Sequence, residues 1–274
     1  MKLFKIETGF FLSDGGACFG SVPKLAWAGS YPADEDNFCK YSMRSLLVQE
    51  GDRLILIDTG VGTKHWDIME DFGFREMVTL ESQLAKYGYT CQDVTDVVLT
   101  HLHFEHCGGC TWIDQEFKLR MTFPNATHWV SEAQWKNLLA PNIAEENSMF
   151  SADVMEVFNQ DKFRFITTDT QLCKGVSLKL VSGHSADQIV VYLGKDGRTF
   201  VFAGDVVPTS AHLPLRWLSA IDVDQVSALT GKNELLETAV KEKQVLIFAH
   251  DFYTPCASVV KDDDFGVGEP CAID

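Results

Sequence analysis

A chain of 274 residues, 46% hydrophobic and 23% charged, carries enough apolar matter for one large domain or two small ones without disulfide support. Its 39 acidic against 23 basic residues leave a formal net charge of −16, which repels nucleic-acid phosphates and anionic membrane surfaces. The opening residues show no signal-peptide pattern, and no segment approaches the roughly 18 apolar residues of a membrane span, so a cytoplasmic protein with neither nucleic-acid nor membrane partner is expected.

In chain order, residues 53–58 read as a buried strand ending in an acid, and 80–87 as a helix stopped by Gly88. Residues 96–100 form a strand that runs into His101. A helix from Ser131 to 139 is ended by Pro141, and 151–158 is a second amphipathic helix. Residues 176–181 are a strand before Gly183 and His184. Residues 188–193 and 199–203 pair as a hairpin around Gly194-Lys195-Asp196-Gly197, its second arm ending at Gly204 and Asp205. A helix over 233–243 precedes a strand over 245–249 that ends at His250, and the acidic run 261–264 is taken as a solvated tail. No linker or repeat interrupts this order, so residues 1–274 are expected to form a single domain of the α/β (α+β) class.

Each of His101, His184, Asp205 and His250 thus stands at or just past the end of an apolar strand. A sheet gathers strand ends along one rim, where residues distant in sequence can meet on rigid supports. The densest segment is Thr100-His101-Leu102-His103-Phe104-Glu105-His106-Cys107-Gly108-Gly109. Three imidazoles and a carboxylate within six residues suit a divalent metal, since zinc, iron, manganese and cobalt all accept such donors. Gly108 and Gly109 let the following backbone pass close by. His65 and His128 have no neighbours at ligand spacing and are expected to be structural.

Of the eight cysteines, Cys18, Cys39, Cys91, Cys107, Cys110, Cys173, Cys256 and Cys271, most are expected to remain thiols in a reducing compartment. Cys107 and Cys110 have redox or zinc-knuckle spacing, but no second such pair exists, and they are expected to pack beside the site.

The segment 101–106 resembles the His-x-His-x-Asp-His signature of the metallo-β-lactamase superfamily. Gly183-His184, Gly204-Asp205, Ala249-His250-Asp251 and the early Asp58-Thr59-Gly60 match its remaining elements in order. Residues 14–24, 205–215 and Ala220-Ile221-Asp222 resemble its quorum-quenching lactonase-like branch. The resemblance implies a four-layer αβ/βα metallo-β-lactamase sandwich and two Zn2+ per chain, with Fe, Mn or Co admissible. It implies His101, His103 and His184 on one ion, Glu105, His106 and His250 on the other, Asp205 bridging, and Asp58 supporting the ligand loop from behind.

Such a centre implies a hydrolase in which metal-bound hydroxide attacks a lactone or other ester, for instance an N-acyl homoserine lactone. Asp205, Glu105 and His212 are the candidate catalytic side chains. Phe19, Val22, Trp27, Phe104, His212 and Trp217 are candidates for the substrate pocket. His212 either bonds substrate or is a buried ring with both nitrogens satisfied. Glu105 departs from the family's Asp by one methylene; it is read as a direct ligand, with a water-mediated contact or a general-base role as alternatives. Other readings are a glyoxalase II-like thioesterase, a phosphotriesterase, or a metal-binding module without hydrolase activity. The partner expected is a small molecule, and the chain is expected to act as a monomer or homodimer.

Overall fold

In the computed structural model, which describes residues 1–69 and 73–273, the apolar runs become strands. In chain order these are β1 (Lys2–Asp14), β2 (Phe38–Glu50), β3 (Arg53–Ile57), β4 (Phe74–Arg75), β5 (Asp96–Val98), β6 (Thr111–Ile113), β7 (Leu119–Met121) and β8 (Thr127–Ser131). They continue with β9 (Phe163–Ile166), β10 (Thr170–Cys173), β11 (Val176–Val181), β12 (Gln188–Lys195), β13 (Arg198–Phe202), β14 (Val245–Ile247), β15 (Cys256–Lys261) and β16 (Phe265–Pro270). The helices are α1 (Gly15–Phe19), α2 (Lys24–Trp27), α3 (Trp66–Met69), α4 (Leu80–Ala85), α5 (Phe104–Cys107), α6 (Glu132–Leu139), α7 (Met155–Asn159) and α8 (Gln225–Lys241). The α/β (α+β) class expected from the sequence is the class observed, with two seven-stranded sheets and a small β6-β7 hairpin among the described residues.

The chain divides into two units, each assembled from separated segments. The first comprises Met1–Gly9 and Met43–Thr168. Its sheet has the order β4-β1-β2-β3-β5-β8-β9. From β3 onward the strands are parallel, with Ile57 opposite Val98 and Val98 opposite Trp129. Parallel strands are covered on both faces, which explains the unbroken apolar run of Val97, Val98 and Leu99, all fully buried. Leu80 and Leu84 of α4 and Trp135 and Leu138 of α6 share one core with Leu56, Val97 and Leu99. Thr79 caps α4 and Ser131 caps α6, each hydroxyl accepting a backbone N–H three residues on. Because β3 and β5 run the same way, both leave the sheet at one rim, and there stand Asp58 and His101.

The second unit comprises Phe10–Ser42 and Asp169–Ile273, with sheet order β10-β11-β12-β13-β14-β15-β16. Val181 at the end of β11 pairs with Gln188 at the start of β12, Val191 pairs with Phe202 at the end of β13, and Phe202 pairs in parallel with Ile247 at the end of β14. This register brings the exits of β11, β13 and β14 to one edge, where His184, Asp205 and His250 follow. Leu235, Leu236 and Ala239 of α8 pack on Val190, Val201 and Leu246.

Three expectations need correction. Helix α8 starts at Gln225 rather than at 233: a Cβ on Gly231 would lie 2.5 Å from Val181 Cγ1, so close packing on the sheet carries Thr230 and Gly231, poor helix formers, inside the helix. The helix expected over 151–158 is broken at Val154 into a 3-10 turn (Ser151–Asp153) and α7. The acidic run 261–264 is not a tail. It ends β15 and turns into β16, and Asp264 Oδ1 accepts from Leu215 N at 3.0 Å and Phe265 N at 2.8 Å. Among the described residues no helix is long and apolar enough to cross a membrane.

His128 is fully buried in β8, opposite Val97 in the register. Burial pushes its imidazole down from 6.5 to about 3. The folded chain therefore refuses a proton that the unfolded chain accepts. Stability is whole above pH 6.5 and falls as pH drops from 6.5 toward 3, by on the order of a few kcal/mol. His128→Leu should flatten this acid decline in urea unfolding run across that window; an unchanged pH slope would remove His128 as its source.

Candidate metal centre

In the first unit the ligand loop is held from behind by Asp58. The residue turns out of β3 at φ 57°, a left-handed conformation that Asp tolerates better than most side chains. Its Oδ1 accepts from Thr100 N at 2.8 Å, and its Oδ2 accepts from Thr100 Oγ1 at 2.8 Å and from His106 Nδ1 at 2.8 Å. Thr100 Oγ1, having spent its proton on Asp58, accepts from His101 Nδ1 at 3.1 Å. Both rings are thereby held with Nε2 as the remaining donor to a metal. His103 is fixed the other way round: its Nε2 donates to Glu145 Oε1 at 3.0 Å, which leaves Nδ1 as the nitrogen that could bind a metal. A ligand nitrogen of His101 lies within 4.8 Å of one on His103 and one on His106.

Other contacts fix the same loop. Gln134 Oε1 accepts from Leu102 N at 3.0 Å, and Thr59 N donates to the His106 carbonyl at 2.7 Å. Lys64, with a fully buried side chain, pairs with Asp153 at 2.9 Å and donates to the carbonyls of Gly108 and Thr111. Gly62 and Gly108 pass so close that a Cβ on either would lie within 2.5 Å of the other segment's backbone. Glu105 sits on α5, and its Oε2 is buried with no hydrogen-bond partner among the described residues.

In the second unit His184 follows Gly183, whose φ of 147° and approach to Ala228 exclude any side chain; a Cβ would lie 2.3 Å from Ala228 Cα. His184 Nδ1 donates to Asp222 Oδ1 at 3.0 Å, and Asp222 Oδ2 accepts from Ser219 N at 3.1 Å. His250 Nδ1 donates to the Ser42 carbonyl at 2.8 Å. Asp205 lies between the two rings. Its Oδ2 is 3.3 Å from His184 Nε2 and its Oδ1 is 3.1 Å from His250 Nε2. With Nδ1 of each ring donating, Nε2 of a neutral imidazole is an acceptor, so acceptor faces acceptor twice around one carboxylate. A cation beside these atoms, or a proton on each ring, resolves that conflict.

The donor chemistry therefore fits divalent metal in both units. Each histidine has its remote nitrogen engaged, and a buried carboxylate oxygen of Glu105 awaits a partner.

The expected pocket residues divide by burial. Phe19, Trp27 and His212 are 0%, 1% and 2% exposed and belong to a stack in the second unit. Phe19 lies 4.5 Å from the His212 ring at 7° and 4.7 Å from Trp27 at 13°. Val22, Phe104 and Trp217 are partly buried. His212 Nε2 donates to the Cys18 carbonyl at 2.8 Å and its Nδ1 accepts from Thr209 Oγ1 at 2.7 Å, while burial pushes the ring down to about 3. Cys107 and Cys110 are buried in the first unit's core, and desolvation pushes both thiols up, Cys110 to about 12, which disfavours thiolate chemistry.

Sequence reasoning did not single out Glu145, Gln134, Lys64, Asp153 or Ser42. Glu145 is 2% exposed and is itself held by Asn137 Nδ2 at 2.7 Å and by Asn142. The nearest available signal was Asp222, visible in the Ala-Ile-Asp string but without an assigned partner.

Asp58→Ala should cost the metal-stripped protein about 3 kcal/mol in urea unfolding, because it removes the buried acceptor of the Thr100 and His106 donors. A loss under about 0.5 kcal/mol would mean that the contacts of Thr59 hold the loop unaided.

A family model described as the metallo-beta-lactamase superfamily matches residues 44–250. A protein of Mycobacterium tuberculosis described as a probable metallo-hydrolase is 30% identical over 112 residues, 36% of this chain and 32% of its own length, so the chain spans about a third of that relative. A probable metal-dependent hydrolase from Staphylococcus aureus is similar in structure with a TM-score of 0.87 at 26% identity, covering 99% of this chain and 98% of the other. AidC, a dizinc quorum-quenching lactonase, shares the fold with a TM-score of 0.77 at 21% identity, covering 99% and 95%. The family match includes the whole series from Asp58 to His250, and both half-sets of donors lie within it: this chain belongs to the metallo-beta-lactamase superfamily.

Proposed function

We propose that the chain is a dinuclear metal-dependent hydrolase that opens a small lactone. In this reading His101, His103 and His184 hold one cation, Glu105, His106 and His250 hold the second, and Asp205 serves both. The observation that carries it is the Asp205 carboxylate set against two imidazole Nε2 atoms whose Nδ1 atoms are already engaged. Zinc, or iron, manganese or cobalt in its place, supplies an activated water and polarises the substrate carbonyl when bound.

The remaining work belongs to the chain's own side chains. Asp58, Glu145 and Asp222 orient the rings and raise their basicity as ligands. His212, neutral and bonded at both nitrogens, is a strut that holds the Cys18 carbonyl. This favours the second of its two readings over a direct part in catalysis. In the second unit the apolar part of a substrate would rest on Val22 and Trp217, with Phe19 and Trp27 stacked together as rigid support, and Phe104 is the candidate for the same role in the first unit. The related lactonase AidC is described in complex with a product, N-hexnoyl-L-homoserine, so N-acyl homoserine lactones are the class to try first.

Elemental analysis of the purified protein should find two divalent ions per chain. A panel of acyl homoserine lactones, aryl esters, phosphotriesters and a glutathione thioester should show lactone turnover that chelation abolishes and added metal restores. Bound metal with no turnover of any panel member would leave a binding module; preference for the thioester would move the assignment to a thioesterase.

Asp222→Asn should lower metal affinity or activity by about 10–100-fold, because it weakens the grip on His184. Glu105→Asp should raise second-metal occupancy, read as ions per chain at limiting metal. Occupancy unchanged by both Glu105→Asp and Glu105→Ala would remove Glu105 from the ligand set.

A further inference from the structure

Two cysteines outside the metal centre stand opposite each other on the last hairpin. Ala257 of β15 pairs with Pro270 of β16, and the next pair outward in that register is Cys256 with Cys271. The backbone pairing continues there, since Cys271 N donates to the Cys256 carbonyl at 3.1 Å. The two Sγ atoms are 3.0 Å apart, nearer than unbonded sulfurs pack, and the Cys256 thiol also points at the Cys271 carbonyl at 2.7 Å. Directly opposed residues in an antiparallel pair have Cα separations of about 4.5–5.5 Å, inside the range a disulfide spans without backbone movement.

Access is unequal. Cys256 is fully buried, whereas Cys271 is partly exposed and lines a surface hollow with Arg198, Lys243 and Glu269. The hollow carries two cationic side chains, Arg198 and Lys243, against one acid, Glu269, a balance that admits an anionic small-molecule disulfide.

We infer that Cys256 and Cys271 are a reversible disulfide site, oxidised by exchange with a small-molecule disulfide such as oxidised glutathione. The Cys271 thiolate attacks one sulfur of that molecule, forming a mixed disulfide and expelling one thiolate. Cys256, deprotonated as it attacks, then displaces the second thiolate from the Cys271 sulfur. The protein loses two protons and two electrons, and the glutathione disulfide becomes two thiols. The bond ties the edge strand β16 to β15, whose Cys256 pairs with Ile247 of β14, the strand that leads to His250. The site is independent of the reaction assigned to the metal centre.

The test uses the full chain, equilibrated in glutathione buffers from reducing to oxidising, quenched in acid, alkylated and mapped by peptide mass spectrometry without reduction. The expected result is a linked pair of peptides carrying Cys256 and Cys271, lighter by two hydrogens than the separate thiols. Its share should rise with the oxidised fraction and reverse on return to reducing buffer. Cys271→Ser should abolish the linked species, and so should Cys256→Ser, which would instead trap glutathione on Cys271. Full alkylation of both thiols in the most oxidising buffer would overturn the inference, as would wild-type protein that stops at glutathione on Cys271.

Discussion

A carboxylate placed behind an imidazole is the contact on which the rest of this site depends. An unsupported histidine can flip, tautomerise or take a proton, and each of these removes a ligand atom. Asp58 ends that freedom for His106 directly and for His101 through Thr100, Glu145 does so for His103, and Asp222 for His184. His250 uses a backbone carbonyl in place of an acid. Each support is distant in sequence from the ring it holds or reaches it through a neighbour, so within each unit the rings keep their directions only while that unit is folded.

Burying so many polar groups carries a desolvation cost that only good partners offset. The first unit offsets it with networks: Glu145 is bonded by two asparagines as well as His103, and Lys64 joins Asp153 to two carbonyls of the glycine-rich turn. Close glycine packing then removes slack, since neither Gly62 nor Gly108 leaves room for a methyl group. In the second unit Gly183 against Ala228 does the same for His184. Glycines, which usually loosen a chain, here make the approach of two backbones possible.

Contacts around the aromatic stack serve the same end. Phe19 stacks on both Trp27 and His212, and burial keeps His212 neutral at neutral pH, where its two hydrogen bonds persist. Lys232 repeats the pattern nearby: 1% exposed and pushed down to about 7 by burial, it donates to the carbonyls of Pro214 and Trp217 and holds the segment that leads to Asp222.

Much of this was legible in the amino-acid order. The apolar runs of β3, β5, β11, β13 and β14, the donors at their ends and the crowded segment from His101 to His106 are local patterns, and local patterns survive in a one-dimensional record. The resemblance to the superfamily signature added an expected order of ligands and an expected supporting place for Asp58. What lay beyond reach was anything decided by packing between distant segments. The early start of α8 depends on Gly231 meeting Val181, the acidic run became a turn because β16 pairs with β15, and Glu145 reaches His103 across 42 residues of chain. Sequence determined which atoms could bind a metal; tertiary structure decided which nitrogen of each ring remains for it, because that choice rests on hydrogen bonds between residues that become neighbours only on folding.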